Sequence, residues 1–167
     1  KDQTIKLFET TYFNELRTLP NVHSDDITSL KFSPDNKFLV SGSKDKSVIL
    51  WDLGTNDDLS TFTGHLKKIN AVAFSPDSKL IASGGDDGII IVWDIFNPQK
   101  PLSRLVGHEG AVTGVDFTPD GRFLGSSSKD KTVALWDYRR NKAMELKNGF
   151  GVDQGYVVNF MSFFSDG

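Results

Sequence analysis

Three times along this 167-residue chain a histidine, a serine and an aspartate recur at one spacing: His23, Ser41 and Asp45; His65, Ser83 and Asp87; His108, Ser126 and Asp130. In each set the histidine precedes the aspartate by 22 residues and the serine by four, and a tryptophan (Trp51, Trp93, Trp136) follows six residues later. A serine, a histidine and an acid are the parts of an acyl-transfer triad, in which the acid orients the imidazole and the imidazole takes the serine proton. That chemistry also needs an oxyanion hole and an open volume for substrate. The segments carrying these serines lead into unbroken apolar runs, such as Ile89–Trp93, which belong to strands covered on both faces. A buried serine leaves no room for a substrate, and an enzyme has no use for one triad per repeat. The triad is therefore read as structural, and no catalytic residue, metal site or cofactor is expected.

The elements around the triads repeat as well. "SGSKDKSVILWD" at 41–52 returns as "SGGDDGIIIVWD" at 83–94 and "SSSKDKTVALWD" at 126–137. The histidines, the tryptophans and the turns "SPD" (33–35), "SPD" (75–77) and "TPD" (118–120) all recur at intervals of 42 and 43 residues. Internal repeats at such a period define the architecture. Each unit reads as four short strands. In the second unit Ile69–Phe74 is the first, and Ser75-Pro76-Asp77-Ser78 forms a turn whose proline is preset for its second position. Lys79–Ser83 is the second strand, and Asp86-Asp87-Gly88 is a hairpin turn that favours positive φ. Ile89–Trp93 is the third strand, and a weaker fourth lies near Leu102–Val106.

Two partial units flank the three complete ones. "KDQTIKLFE" at 1–9 matches "KDKSVILWD" at 44–52, with Phe8 in the tryptophan place, so the set carrying Asp2 lacks the indole donor. "FFSDG" at 163–167 matches "FTPDG" at 117–121, and this closing unit has no histidine. The blade pieces fall at about 1–20, 21–63, 64–106, 107–147 and 148–167. A four-stranded sheet buried on both faces needs copies of itself on either side, which describes the blade of a β-propeller.

Gly64-His65 with Trp93-Asp94 and Gly107-His108 with Trp136-Asp137 carry the "GH … WD" signature; the first unit has Val22-His23 with Trp51-Asp52. On these residues the chain resembles the WD40-repeat family. The resemblance implies an all-β fold: a WD40 β-propeller segment of three complete four-stranded blades plus two partial blades. It also implies that the Asp, His, Ser and Trp of each unit form a hydrogen-bonded chain. The family's top-face contact positions fall at Asp26, Thr28 and Lys44; at Lys68, Asn70 and Asp86; and at Ala111, Thr113 and Lys129. "WDYRR" at 136–140 places Arg139 two residues after the terminal aspartate. It is similar to the box of WD40 substrate receptors that dock on a cullin-RING ubiquitin-ligase adaptor.

Bulk composition sets the remaining bounds. Apolar residues make up 38% and charged residues 25%, the net charge is −3, and no apolar run approaches the ~20 residues of a membrane span. There is no cysteine, which removes disulfides and thiolate chemistry and suits an intracellular setting in cytoplasm, nucleus or cytoskeleton. Residues 21–66 carry a net −3, and residues 121–147 a net +4. Arg122, Arg139, Arg140, Lys142 and Lys147 lack interleaved exposed aromatics, which disfavours nucleic acid as a partner. Gly149-Phe150-Gly151 lacks the Lys-Ser/Thr and strand–loop–helix setting of a phosphate loop. The resulting expectation is a non-catalytic protein-interaction scaffold within a larger assembly. A ubiquitin-ligase substrate receptor and a nucleic-acid-associated propeller are the alternatives. An open arc of blades leaves bare faces, so the remaining blades are expected from the same, longer polypeptide.

Overall fold

The computed structural model describes residues 3–55, 58–144 and 162, and among these every regular element is a β-strand. Strands β1 (Ile5–Phe8) and β2 (Glu15–Leu19) pair as a two-stranded antiparallel sheet. Three four-stranded antiparallel meanders follow. The first holds β3 (Ile27–Phe32), β4 (Phe38–Ser43), β5 (Ser47–Asp52) and β6 (Asp58–Thr63). The second holds β7 (Ile69–Phe74), β8 (Leu80–Gly85), β9 (Ile89–Asp94) and β10 (Ser103–Val106). The third holds β11 (Val112–Phe117), β12 (Leu124–Ser128), β13 (Val133–Asp137) and β14 (Lys142–Ala143). The closing unit at 148–167, Asp2, Lys147 and the Gly149–Gly151 segment lie outside the described residues. Ser162 alone is described there, and its hydroxyl donates to Asp116 Oδ2 at 2.9 Å.

Side-chain hydrogen bonds shape the turns. Ser33 Oγ donates to Asp35 Oδ1 at 2.6 Å and accepts from Phe38 N at 2.9 Å, and Ser75 with Asp77 and Leu80 repeats this at 2.6 and 2.9 Å. The chain then passes through the left-handed region at Asn36 (φ 58°), Ser78 (φ 60°) and Gly121 (φ 65°), so the second strand of sheet 2 starts at Leu80, one residue later than the pattern indicated. At the next hairpin only Gly88, of Asp86-Asp87-Gly88, takes positive φ (73°); Lys46 and Lys131 hold its place in the other sheets at the same angle. A left-handed lysine is uncommon, and here the hydrogen-bonded aspartate beside it holds the turn.

The core consists of layers between sheets. Along β9, Ile91 and Trp93 pack with Val40, Val48, Leu50 and Phe62 of sheet 1, whereas Ile90 and Val92 pack with Val112, Val115 and Leu124 of sheet 3. Both faces of that strand meet protein, which is why its sequence does not alternate. Trp51 lies in the layer against β1 and β2, with Ile5 and Leu19. Glycine sets the spacing of the sheets: a Cβ on Gly84 would stand 2.4 Å from Val112 Cγ1, and one on Gly42 2.7 Å from Ile69 Cγ2.

Candidate functional site

Each triad is assembled by one sheet. The histidine sits in the loop before the first strand, the serine on the second strand, the aspartate in the hairpin turn, and the tryptophan on the third strand. His23 Nδ1 is 2.8 Å from Asp45 Oδ2, its Nε2 is 2.7 Å from Ser41 Oγ, and Trp51 Nε1 donates to the same Oγ at 2.9 Å. In the second sheet His65 Nδ1 is 3.0 Å from Asp87 Oδ2, Nε2 is 2.9 Å from Ser83 Oγ, and Trp93 Nε1 donates to Ser83 Oγ at 2.9 Å. In the third His108 Nδ1 is 2.9 Å from Asp130 Oδ2, Nε2 is 2.7 Å from Ser126 Oγ, and Trp136 Nε1 donates to Ser126 Oγ at 2.7 Å.

The order Asp–His–Ser is that of a hydrolase triad, and the contact distances alone do not separate the two. The serine oxygen does. Ser41, Ser83 and Ser126 are each 0% exposed, and an indole N–H already occupies each Oγ. The Nδ1–H tautomer of the histidine gives every polar atom a partner: indole to serine, serine to imidazole, imidazole to carboxylate. Buried polar atoms left without partners would cost about 1–3 kcal/mol each.

Backbone N–H groups hold the acid end. Ser24, Leu66 and Glu109 each donate to the aspartate of their sheet at 2.9 Å. Sequence reasoning missed a further member of the chain. Ser47 Oγ donates to Asp45 Oδ1 and Thr132 Oγ1 to Asp130 Oδ1, both at 2.6 Å. The signal was a hydroxyl two residues after the aspartate in "DKS" and "DKT"; the middle unit has "DGI". Burial acts to raise the pKa of Asp45 and Asp130, but the Ser47 and Thr132 hydroxyls and backbone N–H groups outweigh it, and both carboxyls stay below the usual range. Asp87 is also lowered: the Leu66 N–H and His65 overcome its desolvation. Burial pushes His65 below an ordinary imidazole against the pull of Asp87, so it favours the neutral ring.

The nine candidate contact positions differ in what they touch. Lys44 Nζ lies 2.6 Å from Asp26 Oδ2, and Lys68 Nζ 3.6 Å from Asp86 Oδ2, each pair within one sheet. Lys129 N donates to Ala111 O at 2.9 Å. The polar members on the first strands, exposed Thr28 and half-buried Asn70 and Thr113, hydrogen-bond to neighbouring protein groups. Thr28 Oγ1 lies 2.9 Å from Gly42 O in its own sheet and 2.6 Å from Ile69 O of the next. Asn70 Nδ2 spans Asp86 Oδ1 (2.8 Å) and Val112 O (2.9 Å), and Thr113 Oγ1 lies 3.0 Å from Ser127 Oγ. Arg139 is exposed, with its guanidinium carbon 5.3 Å from the Tyr138 ring centroid. Among the described residues, no group of three or more His, Asp or Glu could hold a metal ion, and no helix is long and apolar enough to cross a membrane.

Comparison with known proteins gives the same architecture. The chain is 43% identical over 65 residues to "Nuclear distribution protein PAC1" of Candida albicans, a match covering 38% of this chain and 13% of that protein. It is 34% identical over 69 residues to "Striatin-3" of Rattus norvegicus, covering 41% of this chain and 9% of that one. Among solved structures, "Structure of U3-55K" superposes with a TM-score of 0.77 at 29% identity, over 86% of this chain and 45% of that chain. "Crystal structure of RRP9 WD40 repeats" does so at 0.77 and 28%, over 86% and 44%. The chain thus spans less than half the length of the proteins it matches. The family model "WD domain, G-beta repeat" matches residues 13–52, 56–94 and 99–137. Each matched repeat begins on the outer strand of one sheet (β2, β6 or β10) and supplies three strands to the next, so consecutive sheets share a repeat. The matches, the repeats and the sheets agree: the chain belongs to the WD40-repeat family of β-propeller proteins.

Proposed function

We propose that this chain is a non-catalytic interaction scaffold that holds other proteins in a larger, intracellular assembly, with further blades supplied by the same polypeptide. WD40 propellers generally act by binding proteins. One observation carries the proposal here: the three serines that could act as nucleophiles are fully buried and already accept an indole N–H. The three histidines and the serines they meet are engaged in tying together the strands of each sheet, which directs attention to the loop ends and the rim for function. Native purification followed by mass spectrometry is the test. Recovery of the chain with other proteins in fixed ratio supports the scaffold. A chain that elutes alone and hydrolyses a p-nitrophenyl ester, with turnover abolished by Ser126→Ala, overturns it.

The Trp136-Asp137-Tyr138-Arg139 motif supports a finer reading, in which the scaffold is a substrate receptor docked on a ubiquitin-ligase adaptor. Its support is that Arg139 is exposed in the turn that follows β13. Equal retention of the adaptor by wild type and Arg139→Ala in a pull-down would sink that reading alone.

A further inference from the structure

The end of sheet 3 where β11 turns into β12 and β13 into β14 differs in chemistry from the same end of sheet 1. Lys37, Gly54 and Thr55 in the first unit correspond to Arg122, Arg139 and Arg140 in the third. Tyr138 joins the two turns that carry these arginines: it is 1% exposed, and its hydroxyl donates to Gly121 O at 2.7 Å. Leu53, at the matching place in the first unit, has no group to make that bond. Two neighbouring rings each carry a guanidinium, Arg139 at 5.3 Å from the Tyr138 centroid and Arg122 at 5.5 Å from the Phe123 centroid. Stacking on a ring holds a planar guanidinium while its edge donors stay available. Arg140 and Arg122 each have one carboxylate nearby, Asp137 at 3.5 Å and Asp120 at 4.0 Å. Arg139 has none within 4 Å among the described residues.

We propose that this end of sheet 3 binds a carboxylate-rich segment of a partner protein, with Arg139 and Arg122 as the contacts and Tyr138 as the positioning residue. The proposal rests on the scaffold reading and names the chemistry of one partner. A fixed, stacked guanidinium fork suits a carboxylate, which it can hold by two parallel hydrogen bonds. Nucleic acid fits less well. Single-stranded nucleic acid is held largely by stacking its bases on exposed rings, and Tyr138 is too buried to offer one.

Fluorescence anisotropy with a fluorescein-labelled hexaglutamate peptide, titrated at low salt with the whole chain, tests this. The expected result is saturable binding that Arg139→Ala weakens about tenfold, the loss of one charge-assisted contact. Arg139→Lys restores part of it. Tyr138→Phe keeps the ring, loses the tie to Gly121 and falls between. Lys67→Ala, exposed in the loop before β7 at the opposite end of sheet 2, leaves binding unchanged. Absence of binding overturns the proposal, as does an equal loss in Lys67→Ala. Tighter binding of a single-stranded 20-mer DNA in the same buffer overturns the class of partner. A chain that still co-purifies with other proteins but ignores the peptide refutes this surface and leaves the scaffold standing.

Discussion

Phe32 and Phe74 occupy the same place in consecutive units, at the end of the first strand of their sheets, yet Phe32 is 53% exposed and Phe74 6%. Leu30 (48%) and Val72 (6%) differ in the same way, and the third unit sides with the second: Val115 is 7% exposed and Phe117 4%. The cause is not in these residues. Sheet 1 covers Phe74 and sheet 2 covers Phe117, whereas the face bearing Leu30 and Phe32 looks toward a sheet that, among the described residues, has two strands and nothing equivalent to β3 and β4. Burial in this fold is thus conferred by a neighbouring sheet, and the repeat only makes a strand ready for it.

The largest effect that would sharpen this contrast is a matched pair of truncations. Phe74→Ala should cost about 3–5 kcal/mol and Phe32→Ala less than about 1 kcal/mol, read from urea-denaturation midpoints of the 167-residue chain. Equal costs would mean that the face at Phe32 is covered in solution, and intact-mass and native-mass measurements would show by what.

Glycine substitutions probe the closeness of the covered side. Gly84→Ala should destabilise by about 1–3 kcal/mol, because its Cβ would meet Val112 Cγ1 at 2.4 Å. Adding Val112→Ala should return part of the loss. Independent, additive costs would break the claim that these two strands set the spacing of sheets 2 and 3.

Cutting the buried chain comes next. Ser83→Ala leaves the Trp93 indole and the His65 ring without their shared partner, for an expected cost of about 1–3 kcal/mol by thermal unfolding. Hydrolytic activity plays no part in that measurement, so a neutral result would count against the structural role directly.

Acid should reveal the same chains. The His65 pKa lies below its unfolded value, so the neutral ring contributes stability at higher pH, and that contribution falls as pH drops below about 6.5. The lowered pKa values of Asp45, Asp87 and Asp130 add stability above about pH 4, which is lost on further acidification. Unfolding midpoints from pH 8 to pH 3 should therefore fall in one direction only. A rise on acidification would contradict both assignments.

The smallest change is expected at the rim. Lys44→Ala removes a partly exposed ion pair with Asp26 and should shift stability by about 0–1 kcal/mol, less at high salt. A larger loss would mean that these loop charges help join the sheets, as Thr28 and Asn70 do.

Much of the fold was legible because its signals are local. The spacing of His65, Ser83, Asp87 and Trp93 repeats in step with the turns, and the unbroken apolar run of β9 announces a strand covered twice. The buried chain around His65 was readable for the same reason, since its members keep one offset within each sheet. Ser47 and Thr132 escaped notice because their contribution depends on a turn that brings a hydroxyl back to a carboxylate two residues away. Thr28 and Asn70 stand at top-face contact positions by their place in the repeat; that their side chains also reach the backbone of the following sheet is set by how two sheets lie against each other.

The sequence by itself determined the period, the strands, the turns and the residues able to satisfy one another inside a sheet, because hydrogen bonding and alternation act over a few residues. Only the tertiary structure decided which apolar faces are covered, that Gly84 must stay small, and that Tyr138 ties together the two turns carrying Arg139 and Arg122. Those outcomes depend on contacts between residues tens of positions apart, and they exist only once neighbouring sheets have stacked.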